Sequence, residues 1–393
     1  MASNWGSGRA STYDIMDAMR AVAALAVLVA HVRHAVIVDA DARLSAAWTA
    51  LYVFTSLGGQ AVMVFFVLSG FWITKSVISK HTHPEFFFIY FVERLTRLWI
   101  VLVPAVVLGV LLDYVGRYAL DLPLYLGHYD SQLFSKDVAS SLSLTTIIGN
   151  IFFLQTLFVD TVGTNDSLWS LTNEFWYYVW FPILFVVVSG RKFSWPAAAA
   201  AFAALASMFL FHKLLVGFVC WLLGAAACFA SRNVSEAWRA KIAALHLTAI
   251  AGGVFAVALI VTRAPSIQGH HDLVGLTVSG AFAALLFCLV ASRATAPGWL
   301  RRLSRFGAGS SYSLYAFHLP FVAFLTAVLA APSHRLAPSA KAAAIFAAMV
   351  AVTTVYAFGM SLLTERHTKA LRDYVLLVRG LKSPGSGTVT PAG

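Results

Sequence analysis

Charge is what this chain has least of. Asp, Glu, Lys and Arg make up 11% of its 393 residues, where a soluble domain carries about 25%. With 60% hydrophobic residues and a mean hydropathy of +0.78, that scarcity excludes an ordinary soluble enzyme and points to a polytopic membrane protein. Acid is scarcer than base, 17 residues against 28, for a formal charge of +11. In a membrane chain such an excess sets topology and meets anionic lipid, so no nucleic-acid partner is expected. Cysteine is nearly absent. Cys220, Cys228 and Cys288 all lie in apolar runs without CxxC spacing, which fits packing and leaves no disulfide framework or metal site. P-loop, GxGxxG, HExxH and GxSxG spacings are missing, as is any internal repeat.

Long apolar runs are plentiful. They cover Tyr13–Val38, Val53–Ile78, Tyr90–Leu112, Leu168–Val188, Trp195–Phe211, Leu214–Ala230, Ile242–Val261, Leu273–Ala291, Ser310–Ala331 and Ala342–Leu363. About 20 apolar residues cross a bilayer as a helix, so the expected fold is all-α, a membrane bundle of about ten transmembrane helices. The first run follows a polar start without a clear cleavage site and is expected to be a retained span. An even count puts both termini on one side. Placing them in the cytoplasm puts Lys75, Lys80, Arg94, Arg97, Arg232, Arg239, Lys241, Arg301, Arg302 and Arg305 inside, as the positive-inside rule requires. The expected division is a flexible start at 1–12, a membrane domain at 13–365 and a basic, largely disordered cytoplasmic tail at 366–393. The acidic outer segment 113–167 is the one long loop. Within it Thr145–Val159, broken by Gly149 and Asn150, is too short to span and reads as re-entrant or interfacial.

Ionisable residues inside these runs are costly and usually face a protein interior or watery cavity. The first run carries Asp17, Arg20 and His31. Arg20 and His31 are eleven residues apart, which puts them within roughly 20° of one helix face and about 16 Å apart along its axis. A snorkelling Arg20 and a packing His31 are the competing reading. Arg94 and Arg97, at i and i+3, share a face near the cytoplasm. With Arg20, and with Ser69 in the inner half of the second run, they could form an anion site, although both arginines also serve as positive-inside markers. Trp169, Ser170 and Glu174 open the fourth run on the outside, at a depth comparable to His31. A Glu174–His31 pair would suit general-base chemistry; Glu174 could equally cap a helix start. His318, beside Tyr312 and Tyr315, is a second imidazole with either a functional or a structural hydrogen bond.

Five stretches together resemble the integral-membrane acyltransferase 3 family, which includes bacterial O-acetyltransferases of surface sugars. The family's D-G-L-R-x-x-A…H reads here as Asp17-Ala18-Met19-Arg20-Ala21-Val22-Ala23 with His31. Its F-F-x-L-S-G-F reads as Phe65-Phe66-Val67-Leu68-Ser69-Gly70-Phe71. R-x-x-R…P appears as Arg94-Leu95-Thr96-Arg97 with Pro104. L-W-S-L-x-x-E-x-x-F-Y…P appears as Leu168 through Glu174 to Tyr177-Tyr178 and Pro182. S-Y-x-x-Y-L-x-H resembles Ser311 through Tyr315 to His318. Ala18 in place of Gly and Tyr177 in place of Phe are the departures.

The resemblance implies transfer of an acyl group, most often acetyl, from a cytoplasmic acyl-CoA co-substrate to a carbohydrate or glycolipid hydroxyl at the outer face of a bacterial inner membrane. It makes His31 the catalytic imidazole and Glu174 its support or an acceptor ligand. It gives donor phosphates or the acyl path to Arg20, Arg94, Arg97 and Ser69. Asp17, Trp169, Ser170, Tyr178, Tyr315 and His318 are supporting residues, and no metal is required. The rival class is a proton-coupled secondary transporter, which also uses intramembrane Arg, His and Glu but usually shows paired repeats.

Overall fold

The computed structural model describes residues 8–40, 44–191, 194–264, 267, 269–307, 309–331 and 334–381. Those residues form helices joined by turns, with no strand among them. In chain order the α-helices are α1 (Gly8–Val36), α2 (Ala46–Phe54), α3 (Gly58–Lys80), α4 (Phe86–Tyr114), α5 (Leu144–Ile151), α6 (Trp169–Val188), α7 (Trp195–Leu210), α8 (Leu215–Arg232), α9 (Glu236–Ala244), α10 (Leu247–Val261), α11 (His271–Ala291), α12 (Gly298–Gly307), α13 (Ser311–Leu325), α14 (Ala340–Leu363) and α15 (Thr368–Val378). Among the described residues eight helical stretches are long and apolar enough to cross a membrane, and a ninth joins them if α9 and α10, which meet at 61°, act as one span. That bend falls where His246 adopts a left-handed φ of 48°. The remaining apolar run is α7, a shorter helix of 16 residues.

Each expected run is therefore helical, but the second divides. Thr55 closes α2 by donating its hydroxyl to Leu51 O at 2.7 Å, and α3 begins only at Gly58. Helix also extends into the segment expected as a tail, since α15 packs against α4. Residues 382–393, the end of that expected tail, lie outside the described set.

Small residues set the closest helix contact. A Cβ on Gly70 of α3 would stand 2.0 Å from the Trp221 carbonyl oxygen on α8, and one on Gly224 of α8 would stand 1.9 Å from that of Val67 on α3. Glycine at both positions lets the two backbones touch, which is how membrane helices gain packing energy without a hydrophobic drive between them. On the other side α1 packs against α3, α13 and α12.

The long segment between α4 and α6 is ordered by polar ties. The Thr164 amide and hydroxyl both donate to buried Asp113, at 2.8 and 2.7 Å. Arg117 grips Asp137 through Nε and Nη2 at 2.9 and 3.0 Å. That grip and the Ala139 N–H hold the Asp137 carboxyl below its ordinary pKa. Tyr129 and Ser131 reach the end of α1, donating to Ala35 O at 2.9 Å and His34 O at 3.1 Å. Thr145–Val159 overlaps the eight-residue α5, whose N-terminus is capped by Ser143.

Candidate functional site

The spacing of polar residues within the apolar runs becomes a cavity once the helices pack. The cavity lies between α1, α3, α4, α6 and α13. Arg20, Arg94 and Arg97 line it, with Ser69, Ser170, Glu174, Tyr178 and Tyr315. Those eight side chains come from five runs and were all candidates on sequence alone.

The three arginines are not equivalent. Arg20 Nη2 donates to Asp17 at 2.7 Å, one turn back on α1. Arg94 faces Glu93 at 3.5 Å, but Lys80 already holds that carboxylate at 2.6 Å. Arg97 has no hydrogen-bonded or ion-paired partner among the described residues. A charge removed from water without a partner is expensive, so the cavity favours an anion.

Glu174 is satisfied by neutral groups. Ser69 Oγ donates to it at 3.0 Å, and Tyr178 on the next turn of α6 donates to the same carboxylate oxygen. Trp221 Nε1 in turn donates to Ser69 Oγ at 3.1 Å. The Gly70–Gly224 contact thus explains the Ser-Gly pair of the second motif, because it delivers the Trp221 indole to Ser69. Two sequence expectations are corrected here. Ser69 and Glu174 sit at one level, because α3 proper runs Gly58–Lys80 and Ser69 is its middle residue. His31 does not meet Glu174.

His31 meets His318 instead. The rings lie nearly coplanar and edge to edge, with planes 4° from parallel and centroids 5.0 Å apart, and His31 Nδ1 lies 2.7 Å from His318 Nε2. His318 is fully buried on α13. Its Nδ1 faces the carbonyls of Leu314 at 3.0 Å and Tyr315 at 2.9 Å. A carbonyl only accepts, so His318 Nδ1 carries the proton and its Nε2 is the acceptor. His31 must then donate through Nδ1, which leaves the His31 Nε2 lone pair available as a base. His31 is partly accessible; the proton-fixing partner is not.

Neither imidazole lines the cavity directly. Phe65 and Tyr315 stand between, both on the cavity wall and packed edge to face at 5.9 Å. Tyr315 is 6.1 Å from the His318 ring. Its hydroxyl donates to Ser167 O at 2.8 Å and receives Ser170 Oγ at 2.6 Å, which locks the wall to α6.

A family profile described as an acyltransferase domain matches residues 13–358. The chain belongs to the acyltransferase 3 family. It is 30% identical over 172 residues to an O-acetyl transferase of Shigella phage Sf6, a match covering 42% of this chain. The chain spans 44% of that relative's length. No solved structure matches the chain.

Within this family member the remaining expected residues fall at the edges. Asp17 lies off the cavity and accepts from Arg20. Trp169 lies off the cavity and packs its ring against Phe66 at 6.4 Å. Sequence reasoning missed Trp221, and it gave no role to Phe65, Ser311 and Tyr312, which it quoted only as part of motif stretches or as neighbours of His318. Trp221 carries no signal in an apolar run, and Phe65 reads as ordinary core. Among the described residues no group of His, Cys, Asp or Glu is placed to hold a metal.

Proposed function

We propose that this protein is an integral-membrane O-acyltransferase that moves an acetyl group from acetyl-CoA, bound from the cytoplasm, to a carbohydrate or glycolipid hydroxyl at the opposite face. In this reading the bundle crosses a bacterial inner membrane about ten times, with both termini cytoplasmic. The observation that carries it is the arginine trio around one cavity, with Arg97 unpaired, one wall away from an imidazole pair whose hydrogen bonds leave a base exposed. Family membership and the name of the phage relative support the reaction class.

Arg20, Arg94 and Arg97 hold the donor's phosphates, for which guanidinium geometry is suited. The thioester lies toward Phe65 and Tyr315. His31 Nε2 takes the proton of the acceptor hydroxyl as its oxygen attacks the thioester carbonyl carbon. The C–S bond breaks, and the imidazolium returns the proton to the leaving thiolate, giving ester and free CoA. His318 holds the tautomer throughout and bears part of the imidazolium charge. Asp17 and Glu174 position the arginines and Ser69.

The test is purified protein with labelled acetyl-CoA and a glycan acceptor. Stoichiometric free CoA and acetylated glycan are expected. Vesicle flux without CoA release would instead make the chain a carrier and end this reading.

A further inference from the structure

A second space, separate from the arginine cavity, opens on the other side of the α1–α3 pair. It is a groove lined almost wholly by apolar side chains, among them Ala18, Val22, Ala26, Val64, Leu259 and Leu300. Val22 is 55% exposed, so the groove opens toward the surroundings of the bundle rather than into its core. Along α1 the lining runs from Ile15 to Ala26. That is about 16 Å at 1.5 Å per residue, roughly half of a ~30 Å hydrocarbon core, or one leaflet.

The end of the groove nearest the start of α1 is covered by α12, which contributes Leu300. This helix is amphipathic and basic. Ser304 is buried, and Gly307 lies so close to α1 that a Cβ would stand 2.2 Å from the Ala21 methyl. Arg302 is exposed. Arg301 reaches Asp14 at 3.5 Å while its side chain stays 59% exposed. Trp299, 67% exposed, opens the helix. Thr12 Oγ1 donates to Ala294 O at 2.7 Å, which fixes the approach to α12 against the start of α1. A basic helix with an exposed Trp at its start is the pattern of an element lying in a membrane interface.

We propose that the groove and α12 together form a site for one anionic glycerophospholipid of the leaflet at the α1 start. An acyl chain lies along α1 and α3, and the headgroup phosphate sits on Arg301 and Arg302. Both the length and the charge argue for this occupant. The groove is one leaflet deep and dry, and the cations stand at the end where a headgroup of that leaflet lies. The site is distinct from the arginine cavity and holds whether or not the chain transfers acetyl groups.

The experiment is native mass spectrometry of the full chain released from nanodiscs of equal phosphatidylglycerol and phosphatidylcholine. Wild type should retain one phosphatidylglycerol in preference to phosphatidylcholine. Each juxtamembrane arginine favours an anionic headgroup roughly fivefold, so Arg301→Gln with Arg302→Gln should reduce the preference about 30-fold. Val22→Trp fills the groove from its exposed side and should release the lipid without touching the arginines. Unselective retention by wild type would show ordinary solvation by lipid and overturn the proposal. So would an unchanged preference in the double Gln variant, or unchanged retention in a monodisperse Val22→Trp variant.

Discussion

Removing His318 should slow acetyl transfer only through His31, and the size of the effect follows from one hydrogen bond. His31 Nδ1 and His318 Nε2 are 2.7 Å apart in a buried setting. While His31 is neutral, that bond is worth about 1 kcal/mol net. As His31 takes the acceptor proton it becomes a cation, and a hydrogen bond to a charged group is worth about 1.5–3 kcal/mol. Only the difference, about 0.5–2 kcal/mol, lowers the barrier, and losing it corresponds to a rate reduction of roughly 2- to 30-fold at 1.36 kcal/mol per decade. His31→Ala removes the base itself and should cost about 10²–10⁴-fold. If His318 acts through His31 alone, His318→Ala combined with His31→Ala should be no slower than His31→Ala. The assay is single-turnover transfer of labelled acetyl to a glycan at saturating acetyl-CoA, with variants matched for yield and monodispersity. Multiplicative losses in the double variant would show that His318 contributes independently, and the deduced tautomer chain would be wrong. Near-normal transfer by His31→Ala would remove the base from the mechanism altogether.

Arg97→Met should raise the apparent KM for acetyl-CoA by roughly 10- to 150-fold, the loss of one charged hydrogen bond, with a smaller change in kcat. Arg94→Ala should act in the same direction, and unchanged donor affinity in both variants would move the donor site elsewhere. Gly70→Ala should lower the Tm and abolish transfer, because its methyl meets the Trp221 carbonyl at 2.0 Å. Gly280→Ala on α11, with nothing within 4 Å of the new methyl, is the neutral control, and equal Tm values for the two would refute the close-contact argument. The Asp137 carboxyl is held down by Arg117 and the Ala139 amide, so its stabilisation of the segment between α4 and α6 is fully present above the unfolded value near 3.9 and is lost as pH falls through the lower folded value. Hydrogen exchange around Asp137 and Val138 should therefore show constant protection between pH 5 and 8, and Asp137→Asn should lose that protection at every pH.

The apolar runs were legible because periodicity and length decide helices, and all five motif stretches are helical. Arg20, Arg94, Arg97, Ser69 and Glu174 were legible as a set because a charge or hydroxyl inside an apolar run demands a reason. Pairing between helices was not legible. His31 and His318 are 287 residues apart, and nothing in either helix's own pattern says that α13 packs where α6 was expected. Depth was misjudged for Ser69 because hydropathy does not mark the break between α2 and α3; counting from Val53 moved the midpoint of the run four residues toward its start. The amphipathic α12 escaped notice because a ten-residue segment rich in arginine resembles a cytoplasmic connection until its small and apolar positions are seen against α1.

The distribution of acids around the cavity accounts for its appetite for anions. The cavity holds three guanidinium groups and one carboxylate, Glu174. Were Glu174 salt-bridged to Arg97, the pair would neutralise itself in a low-dielectric space, and a donor phosphate would have to break that bridge to bind. Instead Ser69 and Tyr178 supply the hydrogen bonds that Glu174 needs, and no oxygen of Glu174 lies within 4 Å of Arg97. Neutral donors thus hold the acid in place and leave the cation uncommitted. The Trp221–Ser69 bond, possible only because Gly70 and Gly224 let α3 and α8 touch, extends this arrangement one layer further. Helix packing on the far side of α3 thereby reaches the charge balance of the arginine cavity.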